Sequence, residues 1–227
     1  MKIMNLFTLA APIFDLAMKI SGHHKVLVEL GNRIKKDELK RYSEGKVNQL
    51  NLNPKEFEGV QDSENKQPAV KLLDLGGGTG ELANFLPRNL EVTIADPSQA
   101  MLEKGKEKDF SQKVKHILAD GAELPFEDNS FEYLTISDAL HHFRDVEGAL
   151  AEAARVLKPG GKVYILEFDP GTLFTKVIIF FEKLAGEPVN FYKPEKLAEM
   201  IKENELKTEH KYLNKSLYIL CAQKPLR

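Results

Sequence analysis

The sequence predicts an α/β protein in which a mostly parallel β-sheet lies between two layers of helices. From residue 70 onward, short apolar segments alternate with segments of helical periodicity. The apolar segments show no internal alternation of polar and apolar residues, which is typical of strands that are buried on both faces. Helices are the usual connections between such strands, and a sheet of this kind binds ligands at the carboxyl ends of its strands.

Two regions of different character precede this alternation. Residues 1 to about 50 repeat apolar side chains at helical spacing and predict two helical segments. Residues 51–68 are polar and contain Pro54, Gly59 and Pro68, which predicts a linker or a long loop. We therefore expect a helical cap and linker over residues 1–69, placed over the ligand edge of a main domain that occupies residues 70–227.

The main domain contains enough apolar segments for seven strands. The predicted strands are Val70–Leu75, Val92–Ala95, Val114–Leu118, Tyr133–Ser137, Val163–Phe168, Lys207–Tyr212 and Ser216–Ala222. Helices are predicted from about Gly80 to Leu86, from a Ser98 cap to about Lys108, over Val146–Leu157 and from near Pro194, with an apolar stretch from Leu173 to Leu184. Residues Lys158–Gly161 are predicted to end the third of these helices.

Composition excludes several classes of function. The 32 Lys and Arg residues against 34 Asp and Glu residues leave a net charge of −2, which provides no basic field for nucleic acid. Cys221 is the only cysteine, so intrachain disulfides, thiolate zinc clusters and iron–sulfur sites are excluded. The adjacent pairs His23-His24 and His141-His142 are expected to point apart, so we predict no metal site.

The sequence also indicates where the protein is located. No run of about 18 apolar residues is present, so no segment is expected to span a bilayer. The apolar start of the chain is interrupted by Pro12 and Asp15 and lacks a small-residue cleavage site. We therefore expect a cytoplasmic protein, and the sequence does not indicate its oligomeric state.

The strongest functional signal is the glycine-rich segment that follows the first predicted strand. Gly76, Gly78 and Gly80 stand between a strand and a helix, where they let the backbone turn sharply and lie against a ligand. The dinucleotide fingerprint requires a third glycine where Glu81 stands, and no Gly-Lys-Ser/Thr sequence completes a P-loop. With these two phosphate-binding patterns absent, the glycine-rich segment suits a nucleoside ligand without phosphate.

Acidic residues follow the next two strands. Asp96, 20 positions beyond Gly76, is placed to accept hydrogen bonds from both hydroxyls of a ribose, and the alternatives are a turn acid before Pro97 or a helix cap. Asp120 is placed to accept from an adenine amino group, and the Gly121 amide can meet a ring nitrogen. An ordinary Asp-Gly turn explains Asp120 and Gly121 equally well.

Three further segments follow these motifs in order: Asp128–Glu132, Ser137–Phe143 and Arg155–Gly161. The whole resembles class I S-adenosylmethionine-dependent methyltransferases, most closely the small-molecule branch that includes the ubiquinone/menaquinone biosynthesis methyltransferases. The resemblance is strong over residues 70–168, although Asp138–His142 is more similar to generic small-molecule methyltransferases. It implies a Rossmann-like three-layer sandwich whose seven-stranded sheet has its last strand antiparallel.

The resemblance also implies a cofactor, S-adenosyl-L-methionine, and the residues that hold it. The glycine loop would line its methionine and ribose parts, Asp96 the ribose hydroxyls, and the Asp-Gly pair the adenine. Because the cofactor is a sulfonium cation without phosphate, acids beside the loop are compatible with it. The implied cofactor-binding residues are Asp74, Gly76, Gly78, Thr79, Asp96, Asp120, Gly121 and Ser137.

The predicted reaction is in-line methyl transfer to a small apolar or aromatic acceptor. Such a transfer mainly requires that nucleophile and methyl group be aligned in a dry site. His141 and His142 are the nearest candidates for a general base, and the alternative is that one packs in the core and the other is solvated.

Several alternatives stay open at this point. The first 50 or so residues and Leu173–Leu184 are predicted to form an apolar pocket for the acceptor. One alternative is that the N-terminal helices simply pack on the sheet. Another is that either segment contacts a membrane surface. A catalytically silent cofactor-binding protein with an assembly or regulatory role would have the same glycine loop. An NAD-type oxidoreductase is the third function class, and Glu81 disfavours it.

Overall fold

The computed structural model describes residues 23–50 and 69–226, in which seven strands form one sheet. The strands are β1 (Val70–Leu75), β2 (Leu90–Asp96), β3 (Lys113–Leu118), β4 (Phe131–Ser137), β5 (Leu157–Phe168), β6 (Lys207–Tyr212) and β7 (Leu217–Gln223). The helices are α1 (His23–Leu50), α2 (Gln99–Lys106), α3 (Val146–Val156), α4 (Leu173–Ala185) and α5 (Pro194–Lys202). Two short 3₁₀ helices cover Glu81–Phe85 and Leu140–His142.

The sheet has the order β3-β2-β1-β4-β5-β7-β6. The pairings among β1 to β5 are parallel, and β7 runs antiparallel to both of its neighbours, β5 and β6. The predicted mostly parallel, seven-stranded sheet with an antiparallel last strand is therefore confirmed. The strand order reverses between β1 and β4, and the carboxyl ends at such a reversal leave a crevice in which α/β proteins bind ligands.

Apolar side chains cover both faces of the sheet. Adjacent residues Leu72 and Leu73 are both fully buried, one in the cluster on each face. Helices α3 and α5 cover the face of Leu73, and α1, α2 and the first 3₁₀ helix cover the face of Leu72. The unbroken apolar strands therefore have the physical origin that the sequence suggests, since neither face meets water.

Helix α1 packs on the sheet through one stripe. Leu27, Leu30 and Ile34 are buried at helical spacing, and Asp37 accepts hydrogen bonds from Lys162 Nζ (2.7 Å) and from the Tyr164 hydroxyl on β5. The helical periodicity predicted near residues 26–34 is thus confirmed. The first predicted helical segment and the linker lie outside the described residues, and the division at residue 69 stays a prediction. No helix within the described residues has both the length and the apolar composition needed to cross a bilayer.

Two predicted boundaries are wrong. The helix predicted from Gly80 to Leu86 is the short 3₁₀ helix, because Gly80 is left-handed (φ +77°) and Pro87 follows closely. Residues Lys158–Gly161, predicted to lie between helix and strand, belong to β5. The ladder shifts there, because Leu157 pairs with Phe131 and Lys162 pairs with Tyr133, so four residues bulge opposite one.

Candidate functional site

The glycine loop makes a tight turn at the carboxyl end of β1. Gly76, Gly78 and Gly80 all have positive φ, a region that side chains with a Cβ rarely adopt. A Cβ on Gly76 would lie 2.7 Å from the Ala139 Cβ, and one on Gly80 would lie 2.5 Å from the Ile94 Cδ1. The backbone conformation therefore favours glycine at all three positions, and at Gly76 a Cβ would also collide with the Ala139 Cβ.

Asp96 is the last residue of β2 and joins the glycine loop to the start of α2. Its Oδ2 accepts a hydrogen bond from the Gly78 amide (2.9 Å), and its Oδ1 accepts one from the Ser98 amide (2.8 Å). Burial raises the pKa of this carboxyl, and the two amide hydrogen bonds oppose the rise. Ser98, rather than Asp96, caps α2, through a hydrogen bond from the Met101 amide to its side chain. The carboxylate is thus held in a fixed position at the carboxyl end of β2, one strand away from the reversal between β1 and β4.

Asp74 lies beneath the loop and is 1% exposed. Burial raises its pKa to about 7, although the Thr135 hydroxyl donates a 2.8 Å hydrogen bond to Oδ1 and opposes the rise. The other oxygen faces the loop, since a Cβ on Gly77 would lie 2.5 Å from Asp74 Oδ2. The charge of this buried acid therefore changes near neutral pH.

We expect Asp74 to make the free energy of unfolding depend on pH. An unfolded Asp releases its proton near pH 4, whereas the folded chain keeps the Asp74 proton to about pH 7. Between these values the folded state binds more protons, so its stability falls as the pH rises, by at most about 1.4 kcal/mol per pH unit. Asp74→Asn should lose this part of the slope in urea unfolding at about pH 5 and pH 7.5. Equal slopes for both proteins would contradict the prediction.

Thr79 and Glu81 share a cation that the sequence did not reveal. Lys108 Nζ donates to Thr79 Oγ1 at 2.7 Å and lies 3.2 Å from Glu81 Oε2. Lys108 therefore balances the carboxylate that stands in place of the third glycine of the dinucleotide fingerprint. It follows α2 closely in the chain, and no sequence pattern links it to the loop.

Asp120 and Gly121 lie in a tight turn after β3, as one of the two sequence alternatives has it. The exposed Asp120 accepts a 3.0 Å hydrogen bond from the Ala122 amide. Gly121 is buried, and a Cβ there would lie 3.0 Å from the Phe143 ring, which also lies 3.2 Å from the Cβ position of Gly76. Phe143 thus sits between the glycine loop and the Asp-Gly turn, a role that sequence reasoning missed because the contacts join separate strand ends.

Ser137 is the last residue of β4, and its side-chain hydroxyl is buried. Its Oγ has no hydrogen-bond partner among the described residues. Buried polar groups in folded proteins are almost always satisfied by protein or by ordered water, so this hydroxyl is available to a molecule at the carboxyl edge of the sheet. Asp138, the next residue, has a φ of +53°, which is uncommon for a residue with a Cβ and is typical of functional sites.

His141 is held rigidly at the carboxyl edge of the sheet and is 2% exposed. Its Nδ1 lies 2.9 Å from both carboxylate oxygens of Glu167, and its ring stacks on Phe191 with centroids 4.1 Å apart. Burial disfavours a charged imidazole, but the Glu167 carboxylate outweighs it and holds the pKa of His141 well above its usual value. His141 is therefore the packed member of the pair, as one of the sequence alternatives has it.

The expectation that the two histidines point apart is wrong. The ring centroids of His141 and His142 are 4.0 Å apart, and their Nε2 atoms lie 3.6 and 4.0 Å from the same Glu182 oxygen. The tight 3₁₀ turn and the packing of α4 above it bring both rings to one carboxylate. Burial and the neighbouring His141 lower the pKa of His142 to about 3. Glu167 and Glu182 were missed from the sequence because each is at least 25 residues away.

Residues 73–165 match a family model described as a methyltransferase domain. The chain is therefore similar to methyltransferases over these residues, which make up fewer than half of its 227 residues. It is 43% identical over 108 residues to the ubiquinone/menaquinone biosynthesis C-methyltransferase UbiE of Idiomarina loihiensis, covering 44% of this chain and 43% of the relative. The Shewanella halifaxensis protein of the same name is 40% identical over 116 residues, covering 48% and 46%. The matched part of the chain thus spans less than half of the length of these relatives.

Solved structures share the fold of most of this chain. The YcgJ protein of Bacillus subtilis has a TM-score of 0.60 at 18% identity and covers 71% of this chain and 95% of its own. A possible histamine N-methyltransferase of Thermotoga maritima has a TM-score of 0.59 at 19% identity, covering 70% and 84%. The [4+2]-cyclase SpnF also has a TM-score of 0.59 at 19% identity, covering 70% and 76%. The resemblance to class I S-adenosylmethionine-dependent methyltransferases is confirmed, and these likenesses in themselves show the fold alone.

Proposed function

We propose that the protein transfers the methyl group of S-adenosyl-L-methionine to a small apolar acceptor. The observation that carries the proposal is the position of Asp96, whose carboxylate is fixed by the Gly78 and Ser98 amides at the carboxyl end of β2, beside the glycine loop that follows β1. A carboxylate at this place, beside a loop that lacks a phosphate-binding pattern, suits the ribose of a nucleoside without phosphate. The methyltransferase domain over residues 73–165 contains this whole segment.

The cofactor would lie along the carboxyl edge from β1 to β4. Asp96 has lone pairs left for ribose hydroxyls, and the unpaired Ser137 hydroxyl suits the methionine end. Asp74, with a pKa of about 7, would become fully ionised beside the methionine ammonium, directly or through water. The residues that we assign to the cofactor are Asp74, Gly76, Gly78, Thr79, Asp96, Asp120, Gly121 and Ser137.

The acceptor would approach from the side of α4. This helix exposes a row of large apolar side chains, although its Glu182 is directed toward the two histidines. Aliphatic and aromatic side chains exposed beside a reaction site favour an apolar or aromatic acceptor over a nucleic acid. The exposed residues are Leu173, Phe174, Val177, Phe180, Phe181 and Leu184. The relatives named as ubiquinone/menaquinone biosynthesis C-methyltransferases make quinol-type rings the first acceptors to test.

A general base is not required by this reaction, because the sulfonium is a good leaving group and alignment supplies much of the rate. Our sequence-based assignment of His141 or His142 as a base stays a prediction. His141 Nδ1 is already bonded to Glu167, and a pKa of about 3 makes His142 a weak base. Positioning therefore accounts for catalysis better than proton abstraction.

Titration calorimetry with S-adenosylmethionine, its demethylated product and NADH tests the cofactor. We expect S-adenosylmethionine and its demethylated product to bind. NADH should give no heat, because the glycine loop lacks the sequence pattern that binds a pyrophosphate. Tight NADH binding without binding of the other two would overturn the proposal in favour of an oxidoreductase.

A second candidate function is that of a cofactor-binding protein without methyl transfer. The likeness to SpnF, a cyclase of the same fold, favours keeping it, because this fold also serves other chemistry. Incubation with radiolabelled cofactor and a panel of quinols, catechols, thiols and amines separates the two functions. Label in an acceptor supports the enzyme, whereas cofactor binding with no labelled product across the panel would support the silent protein.

A further inference from the structure

Three side chains from two separate elements converge beside the proposed cofactor site. His141 and His142 come from the 3₁₀ turn after β4, and Glu182 comes from α4. Their ligand-type atoms all lie within 4.8 Å of one another. The separations of 3.6 and 4.0 Å between each Nε2 and Glu182 Oε1 are longer than hydrogen bonds. His141 and Glu182 are thus within ion-pair distance, and their separation leaves room for a closer interaction through a bound ion.

The separations suit a metal ion between the groups. Ligand atoms about 2.0–2.1 Å from a tetrahedral zinc ion lie roughly 3.4 Å from each other. The Nε2 to Oε1 separations exceed this value by only a few tenths of an ångström, which small side-chain rotations remove. The second oxygen of Glu182 is buried and has no hydrogen-bond partner among the described residues. A buried carboxylate oxygen without a hydrogen-bond partner is costly. The His141 imidazole, 3.6 Å from the other oxygen, offsets part of this cost, and a metal ion bound directly to the carboxylate would offset more.

Glu167 orients the His141 ring in the way that carboxylates orient metal-binding histidines. His141 Nδ1 is bonded to Glu167, which leaves Nε2 directed at Glu182. A carboxylate on the far nitrogen of an imidazole fixes its orientation and makes it a better ligand. Asp138 adds a third carboxylate, with its oxygen within 4.8 Å of ligand atoms of His141 and Glu167. Three acids around two imidazoles create a field that favours a cation.

We propose that His141 Nε2, His142 Nε2 and the Glu182 carboxylate bind one divalent transition-metal ion of the zinc type. Two imidazoles and one carboxylate are a ligand set that zinc accepts, with a fourth position left for water or substrate. The prediction of no metal site rested on the histidines pointing apart, and their convergence removes that reason. In the proposed methyl transfer, the open position would hold an acceptor heteroatom and favour its deprotonated form. This role rests on the proposed function, whereas binding of the metal does not.

The test uses the full chain, stripped with a chelator and dialysed with Zn²⁺, and no cofactor is added. We expect one equivalent of zinc to remain after dialysis against metal-free buffer. Glu182→Gln and His142→Ala should each lose it, because each leaves two ligands where zinc sites in proteins have three or four. Glu167→Gln should bind 10- to 100-fold more weakly, which is about the usual effect of removing an outer-shell partner. Visible absorption of bound Co²⁺ gives a second readout that does not depend on activity.

His210→Ala is the matched control. His210 Nε2 lies 3.6 Å from Glu195 Oε1, the same separation as between His141 Nε2 and Glu182 Oε1. Among the described residues, His210 and Glu195 belong to no cluster of three or more potential metal ligands. The control should keep the zinc equivalent. Loss of zinc in His210→Ala, or retention of zinc in Glu182→Gln, would overturn the proposal, as would a wild-type chain without stoichiometric metal. Calorimetry with S-adenosylmethionine on Glu182→Gln shows separately whether the proposed cofactor site is intact.

Discussion

Replacing Asp96 by alanine should weaken the binding of S-adenosylmethionine by about 10- to 150-fold, equal to about 1.5–3 kcal/mol. This is the range for hydrogen bonds to a charged group, and the proposed ribose hydroxyls would donate to this carboxylate. The loss has a second cause in the protein itself. Asp96 also accepts from the Gly78 and Ser98 amides, so its removal releases the glycine loop before any ligand arrives. Titration calorimetry with the cofactor measures the effect.

Asp96→Asn separates the two causes. An asparagine side chain fits the same space and keeps one oxygen acceptor, so one of the two amide hydrogen bonds can persist. We expect its affinity for the cofactor to fall between those of the wild type and Asp96→Ala. Glu91→Ala, at the opposite end of β2 and partly exposed, is a control that should bind normally. An Asp96→Ala affinity within error of the wild type would exclude the ribose role.

The sequence was sufficient for features that depend on neighbours along the chain. The apolar run at Leu72 and Leu73 indicated a strand buried on both faces, and the glycines after it indicated a tight turn. The register of parallel strands then brings the end of β2 next to the end of β1, since Leu75 pairs with Ala95. Asp96 therefore follows from pattern and topology together, and its predicted place at the strand end is confirmed.

Features that depend on side chains from distant elements could not be predicted. Phe143 contacts two loops at once only because the strand order brings them together. The approach of Glu182 to His141 depends on the tilt and rotation of α4, which no periodicity specifies. The error about the two histidines has the same origin, because neighbours diverge on an isolated helix or strand but a 3₁₀ turn under a second helix can aim both rings at one group.

His141→Ala should lower the free energy of unfolding by about 3–5 kcal/mol in metal-free buffer, the usual loss when one member of a buried ion pair is removed. Glu167 is 2% exposed, and its other hydrogen bonds in the described chain are long ones, 3.3 Å from the His141 and Phe168 amides. Its carboxylate would lose the imidazole and remain buried. The stacking of His141 on Phe191 would be lost as well. Urea unfolding monitored by circular dichroism measures the change.

Two further variants separate the stranded charge from the lost packing. In His141→Ala/Glu167→Gln the buried group is neutral, so we expect the double variant to recover part of the stability that His141→Ala loses. His142→Ala is the neighbouring control, and a smaller loss is expected because its side chain is 22% exposed and does not contact Glu167 as an ion pair. If the two single variants lost equal stability, or if the double variant were no more stable than His141→Ala, the stranded Glu167 charge would not be the cause. If the double variant is more stable than His141→Ala, the ion pair between His141 and Glu167 stabilises this edge of the sheet.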